Sequence, residues 1–160
     1  MSIYIALGTN LGDKEKNLKE ALRLLYHKDI TVSKVSDFIV TKPYGVTDQP
    51  DFLNAVAEVV TERSPVELLH VLLQIEQEMG RRRIRHWGER IIDLDLLLYD
   101  SQIINLPDLK VPHPDMQNRD FVLCPLVQIA PHTVHPILRK TAEQLWKELQ
   151  DRGRIGNIYP

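Results

Sequence analysis

The order in which its apolar periodicities follow one another constrains the fold of this chain more than any other feature. Ile3-Tyr4-Ile5-Ala6-Leu7 is a short apolar run ending at Gly8, the pattern of a buried strand entering a turn. Asp13 then suits a helix N-cap. Behind it Leu18, Ala21, Leu22 and Leu25 recur at helical spacing opposite Lys14, Lys16, Lys19 and Glu20, so one stripe packs inward and the other face meets water. Residues 32–40, rich in β-branched side chains, lead through a loop at 41–51 containing Pro43, Gly45 and Pro50 into a second strand-like run at 52–61. Ser64-Pro65-Val66-Glu67 is a capping box, with proline in the first turn where its missing N–H costs nothing. The helix it starts carries Leu68, Leu69, Leu72, Leu73, Ile75 and Met79 and stops at Gly80; residues 90–99 form another strand.

Strand, helix, strand, strand, helix, strand is the order of a ferredoxin-like α+β fold, a βαββαβ core of two split βαβ units on an antiparallel sheet. A polar turn after Tyr99, a proline-punctuated segment at 111–114, helical turns at 121–129 and a helix at 141–150 are expected to extend that core as a C-terminal helical extension. At 160 residues and 43% hydrophobic content, residues 1–160 are expected to form a single domain. The one cysteine, Cys124, lies in an apolar run, reads as a small buried hydrophobe and has no intrachain partner. The apolar run at 3–7 is far too short for a signal-peptide core and no later run approaches membrane-spanning length, so a cytoplasmic location is expected; a monomer is expected as well, though no feature of the sequence fixes the oligomeric state. A net charge of -2 excludes a general attraction to nucleic acid or acidic membrane, and any anion must be held by a local cluster of cations.

Such a cluster exists. Arg81, Arg82, Arg83, Arg85 and Arg90 fall within ten residues, with His86 and Trp87 among them. A solvated charge run would need neither the tryptophan nor the carboxylates that follow. Guanidinium forks grip phosphate oxygens in pairs, which makes a polyphosphate the natural ligand. Directly after, in Arg90-Ile91-Ile92-Asp93-Leu94-Asp95-Leu96-Leu97, residues two apart on a strand share a face, so Asp93 and Asp95 stand side by side while Ile92, Leu94 and Leu96 point into the core. Adjacent carboxylates repel unless something positive lies between them, and Mg²⁺, a hard cation that takes one or two carboxylates together with nucleotide phosphate, answers that need. On spacing alone, two solvent-facing aspartates on a half-exposed strand fit equally well. Gly8-Thr9-Asn10-Leu11-Gly12-Asp13-Lys14 lacks the spacing of a Walker loop and reads as a glycine turn entering a helix. The loop at 41–51 is a further site candidate, because long ordered loops in compact domains are more often functional than accidental.

The block His86-Trp87-Gly88-Glu89-Arg90-Ile91-Ile92-Asp93-Leu94-Asp95-Leu96-Leu97 resembles the signature of the 6-hydroxymethyl-7,8-dihydropterin pyrophosphokinase family. Ala6-Leu7-Gly8-Thr9-Asn10-Leu11-Gly12, Asp48-Gln49-Pro50-Asp51-Phe52-Leu53-Asn54, and Val111-Pro112-His113-Pro114 with Arg119-Asp120-Phe121 also match, in order, over most of the chain. The resemblance implies an ATP-dependent enzyme of folate biosynthesis that moves pyrophosphate to the hydroxymethyl group of a reduced pterin and releases AMP. It implies two Mg²⁺ ions bound with ATP by Asp93 and Asp95, and catalytic roles for Arg81, Arg83, Arg90 and Asp95. The ATP environment it implies is Glu76, Arg81, Arg83, Trp87, Arg90, His113 and Arg119, with Arg82 the alternative to Arg83. The pterin is implied to lie between Phe52 and Phe121, its polar edge met by Asn54 and by the loop Thr41, Pro43, Tyr44 and Gly45, with Trp87 nearby. Taken without the family, each of these phenylalanines reads as core packing.

Two other functions fit the same topology. An RNA-binding module would use the arginines as its basic patch, but it needs aromatic residues on a central strand for base stacking, and the run from Phe52 to Val60 has one, at its start. A ligand-sensing regulatory domain would not need an acidic pair facing an arginine cluster.

Overall fold

In the computed structural model, which describes residues 2–42, 48–80 and 91–153, the elements follow the expected order. They are β1 (Ile3–Thr9), α1 (Lys14–His27), β2 (Thr31–Val35), β3 (Ile39–Thr41), β4 (Phe52–Val60), α2 (Pro65–Glu78) and β5 (Asp93–Tyr99). A hairpin of β6 (Ile104–Leu106) and β7 (Leu109–Val111), a short 3₁₀ turn (Met116–Asn118), α3 (Asp120–Ile129) and α4 (Ala142–Asp151) complete it. The main sheet runs β2-β4-β1-β5 with β3 also on β4, and every pair is antiparallel. With β2 and β3 sharing one edge, this is the ferredoxin-like strand order.

Local chemistry accounts for the helix starts. The Asp13 side chain accepts from the backbone N–H of Lys16, and Ser64 and Glu67 close a reciprocal capping box. Gly80, at φ 72°, takes the left-handed turn that ends α2.

Four details depart from the sequence reading. The strand through 32–40 is interrupted, because residues 36–38 face only 55–56 on β4; the extra residue makes a bulge held by the Ser36 hydroxyl, which accepts from the Val56 N–H at 2.9 Å. Strand β1 continues through Gly8 to Thr9, and the turn belongs to Gly12, at φ 66°. Strand β5 begins at Asp93, not at 90, and Arg90 lies outside the described residues. Cys124 is half-buried on α3 instead of enclosed.

The sheet separates two layers. Helices α1 and α2 cover one face, where Ile3, Ile5, Leu7, Ala55, Ala57, Val59, Leu94 and Leu96 meet Leu18, Leu25, Leu68, Leu72 and Ile75. On the other face Tyr4, Val56, Leu97 and Leu98 pack under Val122 and Leu126 of α3, and Leu145 and Leu149 of α4 close on Leu123. Leu97 and Leu98 reach this face together because β5 bulges there: Tyr4 pairs with Leu98 but Ile5 with Leu96. Among the described residues no helix is long and apolar enough to cross a membrane.

Candidate active site

The second face of the sheet is apolar where α3 and α4 cover it and polar where they stop. On β1, the side chains on this face diminish from Tyr4 to Ala6 to Gly8. Pairing carries that gradient across three strands: Tyr4 lies between Glu58 and Leu98, Ala6 between Val56 and Asp95, and Gly8 between Asn54 and Asp93. Small residues on the central strand therefore leave a hollow, with an amide on one flank and two carboxylates on the other.

That hollow is the floor of an open cavity with an empty volume of about 640 Å³, its mouth included. Thr41, Lys42, Phe52 and Asn54 line one side; Asp93 and Asp95 line the other; Arg119, Phe121 and Val122 come from the start of α3. Phe52 and Phe121 are both half-buried and, though distant in sequence, both line the cavity.

Asn54 and Arg119 are each held from behind. Asn54, 8% exposed, donates from Nδ2 to the Thr41 hydroxyl at 2.7 Å. Arg119 is tied to Asp115 by Nε–Oδ2 at 3.4 Å and lies over the Phe121 ring at 5.7 Å, a cation–π distance that joins the anion side of the cavity to its aromatic side. The Glu76 carboxylate, buried between α2 and β5, accepts the Leu94 backbone N–H at 2.8 Å. Leu94 sits between the two aspartates, so this bond fixes the piece of backbone that sets their spacing.

His113 accepts the Asp115 N–H at its Nδ1, 3.2 Å away, and burial together with the Arg119 charge pushes its pKa down to about 4. At neutral pH it is an uncharged imidazole that carries its proton on Nε2, a donor suited to a phosphate oxygen.

The residues named from sequence fall into three groups. Thr41, Phe52, Asn54, Asp93, Asp95, Arg119 and Phe121 meet at the cavity. Glu76 and His113 are not on its lining: Glu76 supports the aspartates through the strand, and His113 feels the charges of both Arg119 and Asp93. Pro43, Tyr44, Gly45, Arg81, Arg83, Trp87 and Arg90, and Arg82 with them, lie outside the described residues.

Sequence reasoning passed over several contributors. Ala6, Gly8 and Val122 line the cavity. Asn10, 1% exposed, donates from Nδ2 to Gln49 Oε1 at 2.7 Å and to the Pro50 carbonyl at 3.2 Å, clamping the segment before Phe52 to the end of β1. Both clamp residues stood inside matching blocks, but a pairing across 39 residues leaves no local signal.

The donor set fits Mg²⁺. Asp93 and Asp95 offer hard oxygen atoms at an open wall, and among the described residues no group of three or more His, Cys, Asp or Glu could enclose an ion alone. An ion that takes one or two carboxylates and fills its octahedron with water and substrate phosphate suits such a wall.

Fold and site together define an α+β enzyme in which a cation-and-anion site adjoins an aromatic pocket. Comparison with known proteins narrows the class. A family model described as 7,8-dihydro-6-hydroxymethylpterin-pyrophosphokinase matches residues 4–131. The chain is 47% identical over 156 residues to the 2-amino-4-hydroxy-6-hydroxymethyldihydropteridine pyrophosphokinase of Haemophilus influenzae, covering 97% of each. It is 49% identical over 127 residues to the Bacillus subtilis protein of the same name, covering 79% of this chain and 76% of that one. The crystal structure of wild-type Plasmodium falciparum HPPK-DHPS superposes with a TM-score of 0.72 at 16% identity, a likeness of fold; it covers 94% of this chain, which spans 45% of that one. The chain belongs to the 7,8-dihydro-6-hydroxymethylpterin-pyrophosphokinase family.

Proposed function

We infer that this chain carries out its family's reaction: it transfers the pyrophosphoryl group of ATP to the hydroxymethyl oxygen of 6-hydroxymethyl-7,8-dihydropterin and releases AMP, a step of folate biosynthesis. The observation that carries the reading is the row Asn54–Gly8–Asp93. It places a buried amide and a carboxylate pair in one cavity, two strand spacings or roughly 10 Å apart, with aromatic rings on the amide side.

The pterin ring lies against Phe52 and Phe121, its polar edge on Asn54 and on the loop of Thr41, Pro43, Tyr44 and Gly45. The triphosphate lies toward Asp93, Asp95, Arg119 and His113. The hydroxymethyl oxygen attacks the β-phosphorus in line, the bond from that phosphorus to the α,β-bridging oxygen breaks, AMP departs, and the hydroxyl proton passes to solvent. When held by Asp93 and Asp95, two Mg²⁺ ions supply charge neutralisation on the phosphates and acidity to the hydroxyl. Arg119, with Arg81, Arg90 and either Arg82 or Arg83, holds the phosphate oxygens, and Arg90 bears on the transferring group. Neutral His113 donates without adding charge. Trp87 helps to enclose the ligands, and Glu76 holds the aspartates' backbone. Residues 1–160 act as one domain, a cytoplasmic monomer with neither nucleic acid nor membrane as partner.

Incubation with MgATP and the hydroxymethyl dihydropterin should produce AMP and no ADP; ADP would mean an ordinary kinase, and no nucleotide product would mean a binding module. Asp95→Ala should lower AMP formation by about 10²-fold or more, the scale of losing one group that stabilises transition-state charge. Its fold should stay intact, read as an unchanged circular-dichroism spectrum, since Asp95 lines the cavity and belongs to neither buried core. Unchanged AMP formation by that variant at saturating Mg²⁺ removes the aspartate pair from the mechanism.

A further inference from the structure

Gly8 occupies a position where glycine is unfavourable for a strand and unnecessary for a turn. Its φ is not positive, it pairs in register on both sides, and the chain continues in strand conformation to Thr9. What the position requires is space. A Cβ built on Gly8 would meet Asn54 Oδ1 at 2.7 Å, closer than real Cβ contacts, with Asn54 Cγ at 3.8 Å and Phe52 Cδ1 at 3.9 Å the next nearest. No atom of Asp93, its partner on the other flank, comes that near. The missing side chain therefore serves the amide flank of the cavity and not the carboxylate flank.

We propose that Gly8 is a specificity-determining positioning residue: by leaving room for Oδ1 it holds the Asn54 amide with Nδ2 on Thr41, and so presents one fixed donor–acceptor edge to the pterin. The inference rests on the reading of Asn54 as the pterin's polar partner. Two constraints meet at the amide. Thr41, 1% exposed, takes one N–H from one side, and the backbone of Gly8 comes up under the oxygen from the other. A methyl group at residue 8 leaves the strand intact, because the atom it strikes is the tip of a side chain that can rotate. Rotation breaks the bond to Thr41 and turns the wrong edge to the ligand. A site built on a buried amide loses most when that amide is mispaired, so the effect falls on pterin recognition and not on folding.

Equilibrium titration of Gly8→Ala, Asn54→Ala and the double variant tests this, with 6-hydroxymethylpterin and its dihydro form as one pair of ligands and a non-hydrolysable MgATP analogue as the other. Gly8→Ala should weaken both pterins by at least about tenfold, the scale of one buried group left unpaired. MgATP-analogue affinity should change by less than about twofold and Tm should hold. In the Asn54→Ala background the same substitution should change pterin affinity by less than about twofold, since its target is gone. Thr41→Val, which releases the amide from the opposite side without touching β1, should reproduce part of the loss. If Gly8→Ala adds its full effect in the Asn54→Ala background, weakens both ligands alike or lowers Tm sharply, the proposal is overturned while the pterin reading stands. If Asn54→Ala leaves pterin affinity unchanged, that reading falls and takes the proposal with it.

Discussion

At the scale of single residues, the cavity is organised by groups that each answer to two demands. Asp93 and Asp95 stand two apart on β5, so the strand that keeps Leu94 and Leu96 in the core also brings both carboxylates to one wall of the cavity. Phe121 serves both halves of the site, because one face of its environment is the cavity and Arg119 lies over its ring at 5.7 Å. The two duties separate on substitution. Stacking of the pterin on a phenyl ring is worth about 0.5–1.5 kcal/mol beyond area burial, so Phe121→Ala should weaken pterin binding by about threefold to tenfold or more. Arg119 keeps its tie to Asp115 in that variant, and MgATP affinity should change little. Calorimetric titration of the variant with each ligand checks the split; a loss confined to MgATP would take Phe121 out of the pterin wall.

At the scale of elements, what the chain announces locally is what sequence reading recovers. The Asp13 cap, the Ser64–Glu67 box and the Gly80 stop are each complete within four residues, and α1 and α2 begin, and α2 ends, where those signals place them. The alternation through Leu94 and Leu96 likewise places Asp93 and Asp95 on one face. What was misread depends on partners remote in sequence. The break at 36–38 exists because β4 offers one residue fewer, and the strand conformation of Gly8 because β4 and β5 flank it. The sequence marks Thr41 and Asn54 as separate pterin contacts, but no local signal announces their bond to each other or the Asn10–Gln49 clamp. The β6–β7 hairpin, around Pro107 and Asp108, falls between the polar turn after Tyr99 and the proline-punctuated segment at 111–114, and the sequence reading assigns it no strand. Local signals also carry measurable stability. Ser64→Ala removes the acceptor for the Glu67 N–H and the register for the returning carboxylate, and should cost about 1 kcal/mol. In a chain of this size that lowers Tm by roughly 2–4 °C. An unchanged Tm in thermal unfolding would show that tertiary packing alone sets the start of α2.

At the scale of the whole molecule, the cavity exists because the second helical layer stops short of it. Helices α3 and α4 cover the sheet over Tyr4, Val56, Leu97 and Leu98 and leave the Gly8 end open, so whatever fixes that layer also fixes the cavity's edge. The joint between the two helices is a tight turn. The His135 N–H donates to the Lys140 carbonyl at 2.8 Å, the Arg139 N–H to the His135 carbonyl at 2.8 Å, and the Ala142 N–H to the Thr133 carbonyl at 2.9 Å. The His135 side chain is buried, and its Nδ1 accepts the N–H groups of Leu138 at 3.0 Å and Ile137 at 3.3 Å. Burial pushes its pKa down, so the fold holds the neutral ring at pH values where the unfolded chain has already taken a proton. Stability is therefore complete above the unfolded value of about 6.5 and is lost as pH falls below it toward the depressed folded value. His113, also depressed by burial, acts in the same direction, so the joint's share is isolated by comparing the parent with His135→Asn, whose side-chain oxygen can accept but does not titrate. In urea unfolding without ligands, the parent's stability should fall between pH 8 and pH 5 more steeply than that of the variant, and the gap between them should narrow. Parallel curves would mean that the turn tolerates a protonated His135, and that the edge of the cavity does not depend on this ring staying neutral.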